Sequence, residues 1–66
     1  MIKYEDCIVQ YEAEARRLAG IAVDLREKAK TAVAYSAKFD LREKASYYEH
    51  LSKEKLNEAR ILRKRL

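Results

Sequence analysis

Apolar residues recur every seven positions along the first half of the chain. Two such series run four residues apart: Tyr4, Tyr11, Leu18, Leu25, Ala32 and Phe39, and Ile8, Ala15, Ala22 and Ala29. Because alternating spacings of four and three keep residues on one side of a helix with 3.6 residues per turn, both series lie on one stripe. The intervening positions are largely charged. The pattern predicts a first helix over about residues 4–35.

A second apolar stripe with the same spacings occupies the last third of the chain. Its members are Leu41, Ala45, Tyr48, Leu51, Leu56, Ala59, Leu62 and Leu66. Glu49 and Lys53 form an i,i+4 pair with the acid first, which stabilises a helix. Basic residues concentrate in the last turn, where they oppose the negative end of the helix dipole. The pattern predicts a second helix over about residues 41–65.

No proline marks a turn between these helices, and the single glycine lies inside the first of them, so the turn is inferred from helical phase. The sequence Asp-Leu-Arg-Glu-Lys-Ala occurs at 24–29 and again at 40–45. Sixteen residues rotate a helix by about 160°, so on one continuous helix the two copies would point apart. If the chain reverses between the two copies, each copy can contribute to the apolar stripe of its own helix. Asp40 and Glu43 also fit the capping-box pattern that begins a helix. We therefore predict a turn over about 36–40 and an all-α antiparallel two-helix hairpin; one long or bent helix is the alternative.

A turn centred near residue 38 sets the predicted register of the hairpin. In that register Leu25 faces Leu51, and large residues oppose small ones at several levels, as close packing prefers. The predicted hairpin core consists of Tyr11, Leu18, Ile21, Leu25, Tyr48, Leu51, Leu56 and Leu62.

Further apolar residues lie off the two stripes. They are Ile2, Val9 and Val23 on the far side of the first helix, and Tyr47 and Ile61 on the second. Isolated surface apolar residues are common and need no explanation. However, chains shorter than about 70 residues usually require disulfides, metal or association for stability. We therefore predict a self-association or partner surface at Val9, Val23, Tyr47 and Ile61, with a homodimeric four-helix bundle as the assembly.

Composition excludes several classes of protein. The 66 residues allow one domain, and the longest apolar run is three residues, so we expect neither a transmembrane segment nor a membrane partner. A single cysteine, Cys7, excludes a disulfide scaffold and a thiolate zinc site, and fits a reducing, cytoplasmic location. A single histidine, His50, excludes a histidine metal cluster within one chain.

The sequence contains few residues in arrangements that support catalysis. The predicted register separates Cys7 from His50, which argues against a nucleophile–base pair. One glycine, Gly20, cannot make a glycine-rich phosphate loop. The acidic residues are dispersed at salt-bridging intervals. We predict a non-enzymatic protein with no catalytic, cofactor-binding or metal residues and no cofactor.

The excess of positive charge suggests an alternative function. Fifteen Lys and Arg against eleven Asp and Glu give a net charge of +4. A candidate nucleic-acid patch near the open end of the hairpin comprises Arg16, Arg17, Arg60, Arg63, Lys64 and Arg65. Acidic residues such as Glu12 share that end and weaken its field. The leading hypothesis is a small helical interaction module that self-associates and binds or regulates a larger protein, as bacterial and phage accessory proteins do. A nucleic-acid-binding regulator is the alternative.

Overall fold

Two antiparallel α-helices make up the fold. The computed structural model describes residues 3–66, with α1 at Tyr4–Thr31 and α2 at Tyr35–Lys64, and the rod measures 50 × 14 × 13 Å. Ile2, one of the apolar residues off the predicted stripes, lies outside the described residues. The predicted all-helical chain of two helices is confirmed, and the alternative of one long helix is wrong.

Helix boundaries follow local chemistry at the outer ends. Glu5 and Asp6 lie in the first turn of α1, beside the positive end of the dipole. Arg63 and Lys64 lie in the last turn of α2, beside the negative end. The carbonyl of Lys3 accepts the backbone N–H of Asp6 at 3.1 Å, which starts α1 without a side-chain cap.

The turn comprises only residues 32–34, so the predicted turn at 36–40 is wrong and those residues belong to α2. Ala32 and Ala34 adopt extended backbone angles with φ of −69° and −77°. The Ala32 N–H donates to the Lys28 carbonyl, and the Ala34 carbonyl accepts the Lys38 N–H, both at 3.1 Å. Extended backbone needs no glycine, which is why the chain reverses without one. Asp40 is therefore exposed within α2 and caps nothing.

Small residues spaced by seven form the interface between the helices. Buried positions in α1 include Ile8, Ala15, Ala22 and Ala29, and those in α2 are Ala45, Ser52 and Ala59. Leu18 and Ile8 are the only large side chains among the buried residues that the structure describes. Six residues without bulky side chains thus line the contact, which permits close approach of the two backbones.

A single hydrogen bond fixes the register of this interface. The Ser52 hydroxyl donates to the carbonyl oxygen of Ala15 at 2.8 Å across the interface, and it is buried. A side chain with two heavy atoms reaches a backbone oxygen only when the two helices lie close together. The contact places Ala22 level with Ala45, and Ile8 level with Ala59. In the predicted register Ala22 would instead lie level with Glu54, and the small residues would not meet.

The predicted core differs from the observed one for the same reason. Of the eight predicted core residues only Leu18 is buried. Leu56 is 49% exposed, because in the true register it lies beside the interface rather than within it. The other six residues are half-buried: Tyr11, Ile21, Leu25, Tyr48, Leu51 and Leu62. The structure thus centres the core on alanine and leaves most large apolar side chains at its edge.

Candidate interaction surfaces

Contacts across the interface define two sides of the rod. On one side, Arg26 donates to Glu49 at 2.6 Å and Arg63 donates to Glu12 at 2.8 Å, which bridges the helices at two levels. On the other side, the Lys55 ammonium lies 5.3 Å from the centre of the Tyr11 ring, within range of a cation–π contact. Because both helices follow a heptad pattern, residues seven apart share a side, so these contacts assign every position to a side.

The side marked by Tyr11 and Lys55 carries the half-buried apolar residues. We call it the apolar face and define it by Tyr11, Ile21, Leu25, Leu41, Tyr48 and Leu51. Tyr48 also contacts the edge of Tyr47, with ring centres 5.5 Å apart and planes at 77°. These side chains cover the small-residue interface from one side and keep part of their own surface in water.

Charge is divided unequally between the two sides. The side with the bridges carries seven cations and three anions, a net charge of +4: Arg16, Arg26, Lys30, Arg42, Lys53, Arg60 and Arg63 against Glu5, Glu12 and Glu49. We call it the basic face. The apolar face carries six cations and five anions, a net charge of +1: Lys3, Arg17, Lys28, Lys44, Lys55 and Arg65 against Glu14, Asp24, Asp40, Glu54 and Glu58. Lys38 has the heptad position of the interface itself, and the other four charged residues lie on the outer edges of the helices.

Two shallow clefts lie on the basic face. One of about 240 Å³ is lined by Lys53, Leu56, Asn57 and Arg60, and the Arg60 guanidinium donates to the Asn57 amide oxygen at 2.7 Å. The other, of about 160 Å³, is lined by Arg26, Ala29, Lys30 and Arg42. Each cleft therefore presents at least two cationic side chains to solvent.

The structure places the four residues of the predicted partner surface on opposite sides. All four are exposed, with Val9 at 62% and Ile61 at 39%. Val9 and Val23 lie at the margin of the basic face, whereas Tyr47 and Ile61 lie at the margin of the apolar face. They therefore do not form one continuous surface, and their contact with a partner or a second copy stays a prediction.

The predicted nucleic-acid patch is also divided. Arg16, Arg60 and Arg63 lie on the basic face, and Arg63 is engaged with Glu12. Arg17 and Arg65 lie on the opposite side, where Arg17 pairs with Glu14 at 2.6 Å, and Lys64 lies on the outer edge of α2. Sequence reasoning placed these six cations by their distance from the turn, whereas their side of the rod follows from heptad position.

Sequence reasoning missed the exposed apolar residues at the turn. Val33 is 99% exposed and Tyr35 80% exposed, and Phe39 follows one turn later. Residues 28–39 contain three lysines and no acidic residue. The sequence does show a cluster of apolar residues here, but the prediction placed this cluster on a helical stripe instead of at a turn.

The Arg26–Glu49 bridge yields a testable pH dependence. The hydrogen bond from Arg26, and then its charge, hold the pKa of the Glu49 carboxyl below its ordinary value of 4.5. Since the folded pKa is the lower one, the bridge stabilises the hairpin above the unfolded pKa and is lost as the pH falls through the folded pKa. Both side chains are exposed, so its effect on stability is small.

We expect Arg26→Gln to return the Glu49 pKa towards 4.5, as measured by an NMR titration of the side-chain carboxyl. Arg16→Gln, on the same helix and without an acidic partner among the described contacts, should leave that pKa unchanged. Equal Glu49 pKa values in wild type and Arg26→Gln would show that the bridge does not persist in solution.

The remaining chemistry-bearing side chains lie apart from one another. His50 contacts Glu54 at 3.0 Å on the outer edge of α2, and Cys7 is a half-buried free thiol near the start of α1. Within residues 3–66, His, Cys, Asp and Glu form no group of three able to hold a metal ion. Neither helix carries an apolar stretch long enough to cross a bilayer. No family model, curated protein or solved structure matches this chain.

Proposed function

We propose that the chain is a non-enzymatic helical interaction module that self-associates through its apolar face into a four-helix bundle and binds a larger protein. The observation that carries the proposal is the composition of the core. Its buried apolar residues are five alanines, Ile8 and Leu18, whereas larger side chains such as Tyr48 and Leu51 are only half-buried. A core of this kind buries little apolar surface per residue, and a second copy would supply the rest.

Burial by a second copy has a clear physical benefit. Apolar surface removed from water stabilises a protein by roughly 25 cal/mol per Å². Ile21, Leu25 and Leu51 lie together at the middle of the apolar face, so one contact would cover all three. Small chains without disulfides or metal commonly gain stability in this way.

Charge along the apolar face supports a second copy in the antiparallel sense. In α1, Glu14 lies one heptad before Ile21 and Lys28 one heptad after it. An inverted copy centred on Ile21 therefore brings Glu14 opposite Lys28 of that copy. With a net charge of only +1, this face also has little self-repulsion.

The turn end offers the contact surface for the larger protein. Val33, Tyr35 and Phe39 are exposed there, and residues 28–39 contain three lysines and no acidic residue. Exposed aromatic and aliphatic residues of this kind serve as anchors when they enter a pocket of a partner. The chemistry fits a protein partner with an apolar pocket and an acidic rim, as expected for an accessory protein that acts in the cytoplasm.

Sedimentation equilibrium of the full chain tests self-association. We expect a mass of twice 7.8 kDa at about 100 μM protein, and helicity that falls upon dilution because folding and association are coupled. A helical species that sediments at 7.8 kDa at that concentration would contradict the proposal.

A further inference from the structure

We propose that the basic face binds the phosphate backbone of a nucleic-acid duplex. The proposal goes beyond self-association and does not depend on it, because the basic face lies opposite the apolar face and stays exposed in a dimer built on the latter. Its basis is the segregation of charge: this one side carries a net charge of +4, equal to that of the whole chain, against +1 on the apolar face.

Ion pairing leaves the net charge of the basic face unchanged but places its excess on the side chains outside the pairs. Two of the three acids on the basic face, Glu12 and Glu49, accept hydrogen bonds from Arg63 and Arg26, so their charge is offset locally. Arg42, Lys53 and Arg60 form no salt bridge among residues 3–66, although the charge of Lys53 acts on Glu49. Unpaired cations of this kind can displace the counterions that surround a duplex, which is the main source of sequence-independent affinity.

The two cationic clefts indicate a long polyanion in preference to a small one. Arg42 and Arg60 lie eighteen residues apart on α2, which corresponds to about 27 Å at 1.5 Å per residue. A single phosphate could occupy one cleft only, whereas a nucleic-acid backbone contacts both. The 50 Å rod matches the length of about 15 base pairs.

Away from the turn end, where Tyr35 and Phe39 share its heptad positions, the same face is poorly suited to an acidic protein. No aromatic residue lies on it between Arg42 and Arg60, and Leu56 is the large apolar side chain of the Lys53–Arg60 cleft. Protein interfaces concentrate their affinity in aromatic and arginine anchors seated in pockets. Phosphate contacts need charge and hydrogen-bond donors alone, and Asn57 already orients Arg60 through its amide oxygen.

A matched pair of triple variants tests the proposal. Arg42→Gln, Lys53→Gln and Arg60→Gln remove three cations from the basic face. Arg17→Gln, Lys64→Gln and Arg65→Gln remove three cations that lie elsewhere, with the same change in net charge. Fluorescence anisotropy measures binding of each full chain to DNA and RNA duplexes of about 20 base pairs at about 50 mM salt. Circular dichroism and sedimentation establish that each variant keeps its fold and mass, which separates this test from that of self-association.

We expect wild type to bind the duplexes, and affinity to fall about 40-fold between about 50 and 200 mM salt if three phosphates are neutralised. The basic-face variant should bind at least tenfold more weakly, and the control variant within about threefold of wild type. Lack of wild-type binding at the lower salt, or equal loss in both variants, would overturn the proposal. Poly-glutamate that binds as tightly, with the same dependence on Arg42, Lys53 and Arg60, would overturn it in favour of an acidic protein.

Discussion

Replacing Ala22 with Leu is expected to lower the melting temperature by about 10 °C or more, measured by circular dichroism. Ala22 is 2% exposed and lies level with Ala45 in the register that the Ser52–Ala15 hydrogen bond sets. A leucine there has no space unless the helices separate, and overpacking of this kind costs about 1–3 kcal/mol. In a domain of this size, 1 kcal/mol shifts the melting temperature by about 4–8 °C.

Ala19→Leu is the matched control for this prediction. Ala19 lies on the same helix and is exposed, so the identical chemical change meets no neighbouring backbone and little change in helix propensity. We expect its melting temperature to stay within a few degrees of wild type. Equal melting temperatures for the two variants would contradict the idea that close contact between small residues holds α1 against α2.

The double variant Ile21→Asp, Leu51→Asp is expected to convert the proposed dimer into a monomer. Both side chains lie on the apolar face, where a second copy would bury the new carboxylates without partners. Removing anchors at the centre of an interface commonly costs several kcal/mol, so we expect dimer affinity to fall by at least about 100-fold. Sedimentation equilibrium should then give 7.8 kDa where wild type gives twice that mass.

Val9→Asp with Val23→Asp provides the control with the same change in charge. These residues are about 60% exposed and lie at the margin of the opposite side, so the variant should stay dimeric. Dissociation of the control alone would contradict the assignment of the dimer interface to the apolar face.

A charge exchange keeps this prediction testable even if the aspartate variant loses its fold. Lys28→Glu should weaken the antiparallel dimer because Glu14 of the second copy then meets a like charge. Adding Glu14→Lys should restore the affinity. Because both residues lie at the rim of the face, the expected change is severalfold. Failure of the second substitution to restore affinity would exclude the inverted arrangement about Ile21.

Much of α1 could be predicted from the sequence. Its heptad spacing of apolar residues is a local property, and the structure buries Ile8, Ala15, Ala22 and Ala29 as that spacing indicates. The predicted α2 stripe likewise contains Ala45 and Ala59, which the structure buries, but not the polar Ser52 that lies midway between them. Leu56 therefore seemed a core residue although Ser52, four positions earlier, occupies the core.

The turn and the two faces could not be read in the same way. Residues 32–34 carry neither glycine nor proline, and residues 35–40 are compatible with either a helix or a turn. Moving the turn by a few residues changes the register by about twice that number, since both arms of an antiparallel pair shift. This change decides which residues of the two helices lie level with each other, such as Ala22 with Ala45 in place of Glu54.

The sequence by itself determined that this chain is helical, that it has two amphipathic segments, and that its charge is mildly positive. Only the tertiary structure decided which residues meet, where the chain reverses, and that the positive charge gathers on one side. The physical reason is that a helix is specified by neighbours within four residues, whereas its register against another helix depends on side-chain size across the contact. Alanine and serine at the contact select the one register in which the two backbones can approach.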